Sequence, residues 1–330
     1  MLQNISIKNF KSIKDLEFKA KRINLFIGKP NTGKSNILEA LGIFTFDFLP
    51  QKFLSKKLKI LVRLERAIDL FFNNQVHQKI EVKADDCIWK ATASENHVYI
   101  YGQKSGKDIF GYTLDMSCNL SEPYMYPPFD APLLNFRFYR FRILDIFPED
   151  FFNFLLPPDG ENLLYILETN EKIYNLVNNL LEEYGWQLVL ERAESKIKVL
   201  NRNSPKPILL PYSSISDTLQ RTIFYLTAIR SNKDAVIIFE EPEAHAFPYY
   251  TKTLAEAIAL DDSGNQFFIS THNKYFLYSI LEKAPETDVA IFVVFLENYQ
   301  TKLKELNEQE KQMILEDVQD IFFNIEKFEK

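Results

Sequence analysis

The sequence predicts an α/β fold: a P-loop domain whose mostly parallel sheet is flanked by helices, joined by an antiparallel β lobe. Three observations carry this. Gly28-Lys29-Pro30-Asn31-Thr32-Gly33-Lys34-Ser35 stands between a short apolar run at 22–27 and a stretch at 36–44 with apolar residues at helical spacing. The second half alternates apolar runs with helix-period stretches, the pattern of a parallel sheet covered on both faces. Between them, over 77–115, the period falls to two in short runs separated by turn residues, as in an antiparallel meander.

Taken in order, residues 1–27 read as strands. Ile5, Ile7 and Phe10 share a face, Leu16 and Phe18 follow a turn at Lys14-Asp15, and the run into Gly28 closes the set. A helix over 35–49 is stopped by Pro50, which lacks an N–H and clashes with the preceding turn. Residues 56–72 read as a second helix through Leu58, Leu61, Val62, Ile68 and Leu70. Ile80, Val82, Ile88, Val98, Ile100, Phe110 and Tyr112 mark the meander. Pro123, Pro127, Pro128 and Pro132 make 117–132 an irregular crossover loop. A strand over 133–144 carries Arg137, Arg140 and Arg142. Pro157-Pro158-Asp159-Gly160 is a turn, 161–184 holds one or two helices, and 186–190 with 196–200 forms a hairpin about Glu194-Ser195. Ser213-Ser214-Ile215-Ser216-Asp217 offers N-caps to a helix over 218–229. Then come a fully apolar strand at 235–239, a helix at 249–260, strands at 266–270 and 289–296, and a charged amphipathic helix over 308–328.

At 330 residues the chain exceeds the usual single-domain size, so one large unit with an inserted lobe is expected. The divisions that follow are 1–50 and 133–300 for the two parts of the core, 51–132 for the inserted helix and β lobe, and 301–330 for the C-terminal helix.

Composition narrows the class. Hydrophobic residues make up 46% of the chain, enough for a buried core, and a formal charge of −6 argues against a protein coated in basic surface for nucleic acid. A local strip is still open: Arg137, Arg140 and Arg142 either form one or pair with acids inside the protein. Cys87 and Cys118 are too few for a disulfide framework and lack metal-ligand spacing, which points to a reducing cytoplasm and two plain core or surface thiols. The opening residues alternate as a strand does rather than forming a signal peptide, and no apolar run approaches the ~18 residues of a membrane span. A soluble, cytoplasmic protein with no membrane partner is expected.

The P-loop string fits G-x-x-x-x-G-K-[ST], whose glycines let backbone N–H groups close around a phosphate chain at a helix N-terminus. Gly28, Asn31, Thr32, Gly33, Lys34 and Ser35 are therefore the candidate nucleotide-binding residues. Lys34 reaches the β- and γ-phosphates, and the Ser35 hydroxyl serves Mg2+. Glu240 and Glu241 end an apolar strand, the placement that aims carboxylates from a sheet edge: Glu240 toward the metal, Glu241 as the base that orients or deprotonates water. His272 directly follows a second apolar strand and reaches the same edge, where it can donate to a γ-phosphate or to the attacking water. His77 and His97 have no such context and read as structural or surface residues.

These pieces together resemble a known group. Ile7-Lys8-Asn9-Phe10-Lys11-Ser12-Ile13, the strand with Asn24, the P-loop running on through Asn36-Ile37-Leu38-Glu39-Ala40-Leu41, Glu240-Glu241-Pro242-Glu243-Ala244-His245 and Ser270-Thr271-His272-Asn273 are similar to the ABC-type ATPases of the RecF, SMC and OLD (overcoming lysogenization defect) group. Pro157-Pro158-Asp159-Gly160-Glu161-Asn162-Leu163 resembles a segment of its smaller members. The resemblance covers about 1–45 and 133–275. It implies an ABC-ATPase head that binds ATP and Mg2+ and dimerises face to face, each ATP lying between the P-loop of one subunit and the signature serine loop of the other. Ser213-Ser214-Ile215-Ser216-Asp217-Thr218 occupies the signature position, with Ser214 or Ser216 as the contact, but lacks the usual Ser-x-Gly. Glu240 stands where many relatives carry Asp, and no glutamine loop is evident; slow or partner-dependent hydrolysis follows.

No long heptad stretch provides an SMC-type arm, and the stretch after His272 is shorter than the Toprim nuclease domain of OLD nucleases. The resemblance therefore implies a small stand-alone member. It would act as an ATP-dependent homodimer or higher oligomer that senses or clamps a macromolecule, DNA among the candidates, and controls a separate nuclease or toxin effector in antiphage defence. A non-hydrolysing ATP-bound scaffold and a RecF-like DNA-repair ATPase are the alternatives. The 77–130 lobe and the 308–328 helix remain for partner contacts.

Overall fold

The computed structural model describes residues 1–46, 58–125, 135–203, 205–316 and 320–329. Its organising strand is β3 (Ile23–Ile27), five consecutive buried residues within a six-stranded sheet. Beside it lie β14 (Gln266–Ser270), β13 (Val236–Glu240) and β9 (Phe136–Tyr139), all parallel, and on its other side the parallel β15 (Val289–Glu297), with β16 (Gln300–Glu305) antiparallel at that edge. Strands covered on both faces need no polar alternation, which is why these runs read as continuously apolar. Within β3 the one polar residue is Asn24, whose buried side chain accepts from Lys21 N–H and donates to the carbonyls of Lys21 and Phe267.

The period-two geometry of the strands splits their residues between two cores. Ile23, Leu25 and Ile27, with Ile237, Phe239, Phe267 and Ile269, face α2 (Leu163–Thr169), α3 (Glu171–Glu182), α4 (Asp217–Ser231), α5 (Pro248–Ala259) and α6 (Lys274–Lys283). Phe26, Phe136, Phe138, Ile238 and Phe268 face α1 (Lys34–Phe46) and a second sheet. That sheet is antiparallel throughout, in the order β2 (Ile13–Lys19), β1 (Asn4–Phe10), β4 (Ile80–Ala84), β5 (Cys87–Ala93), β6 (His97–Lys104), β7 (Lys107–Asp115) and β8 (Leu120–Met125). The meander thus continues the N-terminal hairpin directly, through Ile7 opposite Val82. The expected hairpin of β10 (Trp186–Glu191) and β11 (Lys196–Asn201) gains a third strand, β12 (Ile208–Pro211).

Four expectations are corrected. The irregular loop at 117–132 contains β8 with Pro123 inside it; a missing N–H is tolerated on this edge strand, at a point where the register shifts opposite Gly111 to Thr113. Residues 126–132 lie outside the described residues. The helix over 56–72 is helical only at 58–61 among the described residues, then breaks into turns at Ala67–Leu70 and Phe72–Asn74. There the Asp69 carboxylate accepts the N–H groups of Glu65 and Arg66, competing with the helix ladder. Of the strand over 133–144, residues 133–134 lie outside the described residues, and among the described ones it is limited to β9, since Arg140 N–H turns to the Pro158 carbonyl. Of the helix over 308–328, residues 317–319 lie outside the described residues, and the described ones form α7 (Glu308–Leu315) and a separate turn at Ile325–Phe328, with Asp320 accepting from Phe322 N–H.

Cys87 and Cys118 are buried, and burial pushes their thiols up to about 12 and about 11, so both are neutral core groups. No helix of the described residues is long and apolar enough to cross a membrane.

Candidate functional site

β3 feeds the loop that opens α1, and two glycines shape it. Gly28 has φ +150° and Gly33 φ +104°; a Cβ on Gly28 would overlap the Val294 carbonyl, and one on Gly33 the Thr301 hydroxyl. Asn31 takes the left-handed conformation its short polar side chain tolerates, and the Thr32 hydroxyl donates to Lys29 O at 2.9 Å. Lys34 Nζ donates to Gly28 O at 2.9 Å and Lys29 O at 2.8 Å, spanning the loop from inside. Burial pushes its ammonium down to about 8, against the opposing pull of Glu241 and Glu240. A phosphate chain in the loop would supply the counter-charge that Lys34 lacks. The loop opens on a cleft of about 360 Å³ lined by Asn31, Gly33, Lys34, Ser35, Arg63, Glu241 and His272, among others. A cradle in which glycines alone fit, floored by a desolvated lysine, suits a nucleotide's phosphates.

Two parallel strand ends deliver the remaining chemistry. Glu240 pairs in register with Ser270, so Glu241 and the Thr271-His272 pair emerge side by side, tied by Glu241 N–H to Ser270 O at 3.0 Å. His272 Nε2 stands 3.3 Å from Glu241 Oε1. That hydrogen bond, with the charges of Lys34 and Arg63, holds the Glu241 carboxyl below its usual range, leaving it ionised at neutral pH. Glu241 also sits at φ +45°, a left-handed backbone that a non-glycine residue keeps only where its surroundings enforce it.

Glu240 faces the other way. Its carboxylate accepts from Arg63 at 2.8 Å and lies 3.2 Å from Arg140, in a neighbouring recess that Ser35 also lines. A hydroxyl and one carboxylate are an oxygen donor set that suits Mg2+, which keeps several waters and takes phosphate oxygens. Among the described residues no cluster of three or more His, Cys, Asp or Glu could hold a metal alone, so phosphate would complete the set.

The basic-strip alternative is corrected. Arg137 is buried, donates to Phe136 O, and lies 4.1 Å from the centre of the Phe154 ring; Arg142 pairs with Asp159 at 2.8 Å. Arg140 bridges Glu240 and the fully buried Glu39, whose other oxygen takes Lys11 at 2.5 Å. A buried carboxylate needs such partners. Glu39, Lys11, Arg63 and Arg140 were missed as site residues because nothing local in the sequence pairs them.

A second missed set fastens the loop. Thr301 Oγ1 donates to Thr32 O at 3.0 Å and bonds the Ser12 hydroxyl at 2.7 Å, which also accepts from Asn36. Thr301 comes from β16, a strand with no motif. The serine loop lies apart from both recesses: Ser214 is exposed in a short turn over Tyr212–Ser214, and Ser216 caps α4, its hydroxyl accepting Leu219 N–H at 3.3 Å.

Comparison with known proteins bears on the family and the fold. A 93-residue stretch is 36% identical to MJECL10, an uncharacterized protein of Methanocaldococcus jannaschii, covering 25% of this chain. The match spans 41% of that relative's length. Over 93% of this chain and 98% of the other, the fold is similar to an SMC head bound to the C-winged helix domain of ScpA, at TM-score 0.51 and 16% identity. An Smc head with an extended coiled coil, bound to the C-terminal domain of ScpA derived from Pyrococcus furiosus, matches 97% of this chain and all of its own length at TM-score 0.50 and 14% identity. These likenesses concern the fold, the α/β P-loop NTPase fold that the sequence predicts. Residues 1–206, more than half of the chain and including the whole P-loop, match the AAA ATPase domain family, and the chain belongs to it.

Proposed function

We propose that the protein binds ATP with Mg2+ above the P-loop and hydrolyses it as an ATP-dependent dimerisation switch of the OLD- and RecF-like kind. The carrying observation is the Glu241–His272 pair, 3.3 Å apart at the mouth of the cleft that Lys34 and Ser35 line. Lys34 meets the β- and γ-phosphates with its ammonium. Glu241 accepts the proton of a water as that water's oxygen bonds the γ-phosphorus and the bond to the β-phosphate oxygen breaks, leaving ADP and phosphate. His272 orients Glu241 through Nε2. Ser35 and Glu240 would hold Mg2+, which neutralises charge on the β- and γ-oxygens when bound, and Glu240 must then exchange Arg63 for the metal.

Ser214 and Ser216 are exposed and outside their own subunit's recesses, a placement that suits contact with a partner's nucleotide and supports the dimer. The switch would sense or clamp a macromolecule and control a separate nuclease or toxin in antiphage defence, a context that rests on the family resemblance. DNA loses the support of an arginine strip. A second reading, a scaffold that holds ATP without turnover, is favoured by one observation: the Ser216 hydroxyl is engaged in capping α4 and no glycine stands beside it.

The deciding experiment measures ATP turnover of the protein and its Glu241→Gln variant, with particle mass recorded with and without ATP. Turnover lost in the variant, with a larger ATP-stabilised species, supports the switch. Assembly around nucleotide without turnover in either protein supports the scaffold.

A further inference from the structure

We infer that Glu243 is a positioning residue: its buried side chain straps the loop after β14 to the loop after β13 and so holds His272 against Glu241. The catalytic consequence rests on the ATPase reading; the strap itself does not.

Glu243 is 5% exposed, and nothing in the hydrolytic step uses it. Its Oε1 accepts the Thr271 hydroxyl at 2.5 Å and lies 3.4 Å from His272 N. The same Thr271 hydroxyl accepts Asn273 N–H at 3.0 Å, and the Asn273 side chain in turn caps α6 through Tyr275 N–H and Phe276 N–H. One carboxylate oxygen therefore fixes the backbone at 271–273, on which the His272 ring is carried. On the other side, Glu243 belongs to the tight loop that begins with the left-handed Glu241 and ends at the left-handed His245, where Ala244 N–H bonds Glu241 O and Ala246 N–H bonds Glu243 O. Beside the His272–Glu241 contact that the strap holds in place, Glu241 N–H to Ser270 O at 3.0 Å is a backbone tie that joins the same two strand ends but leaves 271–273 unfixed.

Oε1 serves as an acceptor whether or not the group is ionised. Burial pushes Glu243 up to about 7, so its neutral form is well populated near neutral pH, and Oε2 has no hydrogen-bond partner among the described residues. Glutamine reproduces that neutral form with the same acceptor. The strap thus predicts a specific pattern: Glu243→Gln behaves as the parent, whereas Glu243→Ala and Thr271→Val release His272.

The test uses two readouts on the full chain. In histidine-labelled protein, NMR resolves four imidazoles, and His272 is assigned by its absence from His272→Ala. Glu243→Ala and Thr271→Val should move the His272 ring resonances and leave those of His77 and His97 in place, and Glu243→Gln should restore them. In turnover assays, Glu243→Ala should lower kcat about tenfold to a hundredfold with nucleotide Kd unchanged. That loss should vanish when Glu243→Ala is made on His272→Ala. Unmoved His272 resonances in both Glu243→Ala and Thr271→Val, or failure of Gln to restore them, overturns the strap; Thr271→Val keeps this decision open if Glu243→Ala does not fold. A parent without turnover counts against the ATPase reading alone, since the resonances still decide the strap.

Discussion

His272 Nε2 and Glu241 Oε1 meet at 3.3 Å although 31 positions separate them, because β13 and β14 are parallel neighbours whose ends align through Glu240 and Ser270. Parallel strands place every strand end on one edge, so a side chain just past each end needs no long reach to meet its neighbour. The pair keeps the carboxylate ionised and oriented at the cleft.

Glu241→Gln removes the proton acceptor while keeping size and shape. Turnover should fall by about 10²- to 10⁴-fold with ATP still bound, as read by steady-state phosphate release beside equilibrium nucleotide binding. The pH dependence has a definite sign. Glu241 is held below the usual carboxylate range, so its contribution is present at neutral pH and is lost as pH falls through that lowered value. An acidic limb of the rate profile at or above neutral pH would assign the rate-limiting proton to another group.

Lys34 gives a second pH signature. Burial lowers it to about 8, so above that pH the nucleotide-free protein holds it neutral, and bound phosphate should restore the charge. ATP binding should therefore take up protons at pH values just above about 8, visible as a dependence of calorimetric heat on buffer ionisation enthalpy. Lys34→Met should abolish the uptake and weaken binding. Uptake that persists in Lys34→Met would place the titrating group elsewhere.

What could be read from the sequence and what could not divide along a physical line. β3, β13, β14 and β15 were legible because strands buried on both faces are unbroken apolar runs, and the P-loop, Glu240, Glu241 and His272 could be placed at their ends. The break after Leu315 was not, because Asp320 and Asn324 keep a helix-like polarity while their side chains bond the backbone locally. Glu39 with Arg140 and Thr301 with Ser12 lie 101 and 289 positions apart, so no window of sequence shows either contact. Arg140 in particular reads as one of three alternating cations, and only the fold turns it inward.

Gly33 tests the loop's fastening. Its φ of +104° strains any side chain, and a methyl group would overlap the Thr301 hydroxyl that bonds Thr32 O. Gly33→Ala should cost about 1–3 kcal/mol in chemical unfolding and lose ATP binding. Thr301→Val instead leaves the Ser12 hydroxyl and Thr32 carbonyl short of a partner, a penalty of about 1–3 kcal/mol. If Thr301→Val leaves both stability and nucleotide affinity unchanged, β16 plays no part in shaping the loop.

Glu39 offers the sharpest contrast between charge and shape. Its carboxylate is fully buried and takes Lys11 on one oxygen and Arg140 on the other, with Arg140 passing on to Glu240. Burial already drives the Lys11 ammonium below its ordinary value, and Glu39 is the main group opposing that. Removing the acid strands two cations, so Glu39→Ala should destabilise by about 3–5 kcal/mol. The penalty should ease as pH rises, because a Lys11 without its partner can give up its proton whereas Arg140 cannot. Replacing Lys11 by methionine in the Glu39→Ala background should recover part of the loss at neutral pH. Thermal unfolding of the three variants at neutral and alkaline pH decides it: equal losses at both values, with no gain from the second substitution, would mean that Glu39 acts through packing and not through the ion pairs that link the P-loop helix to Glu240.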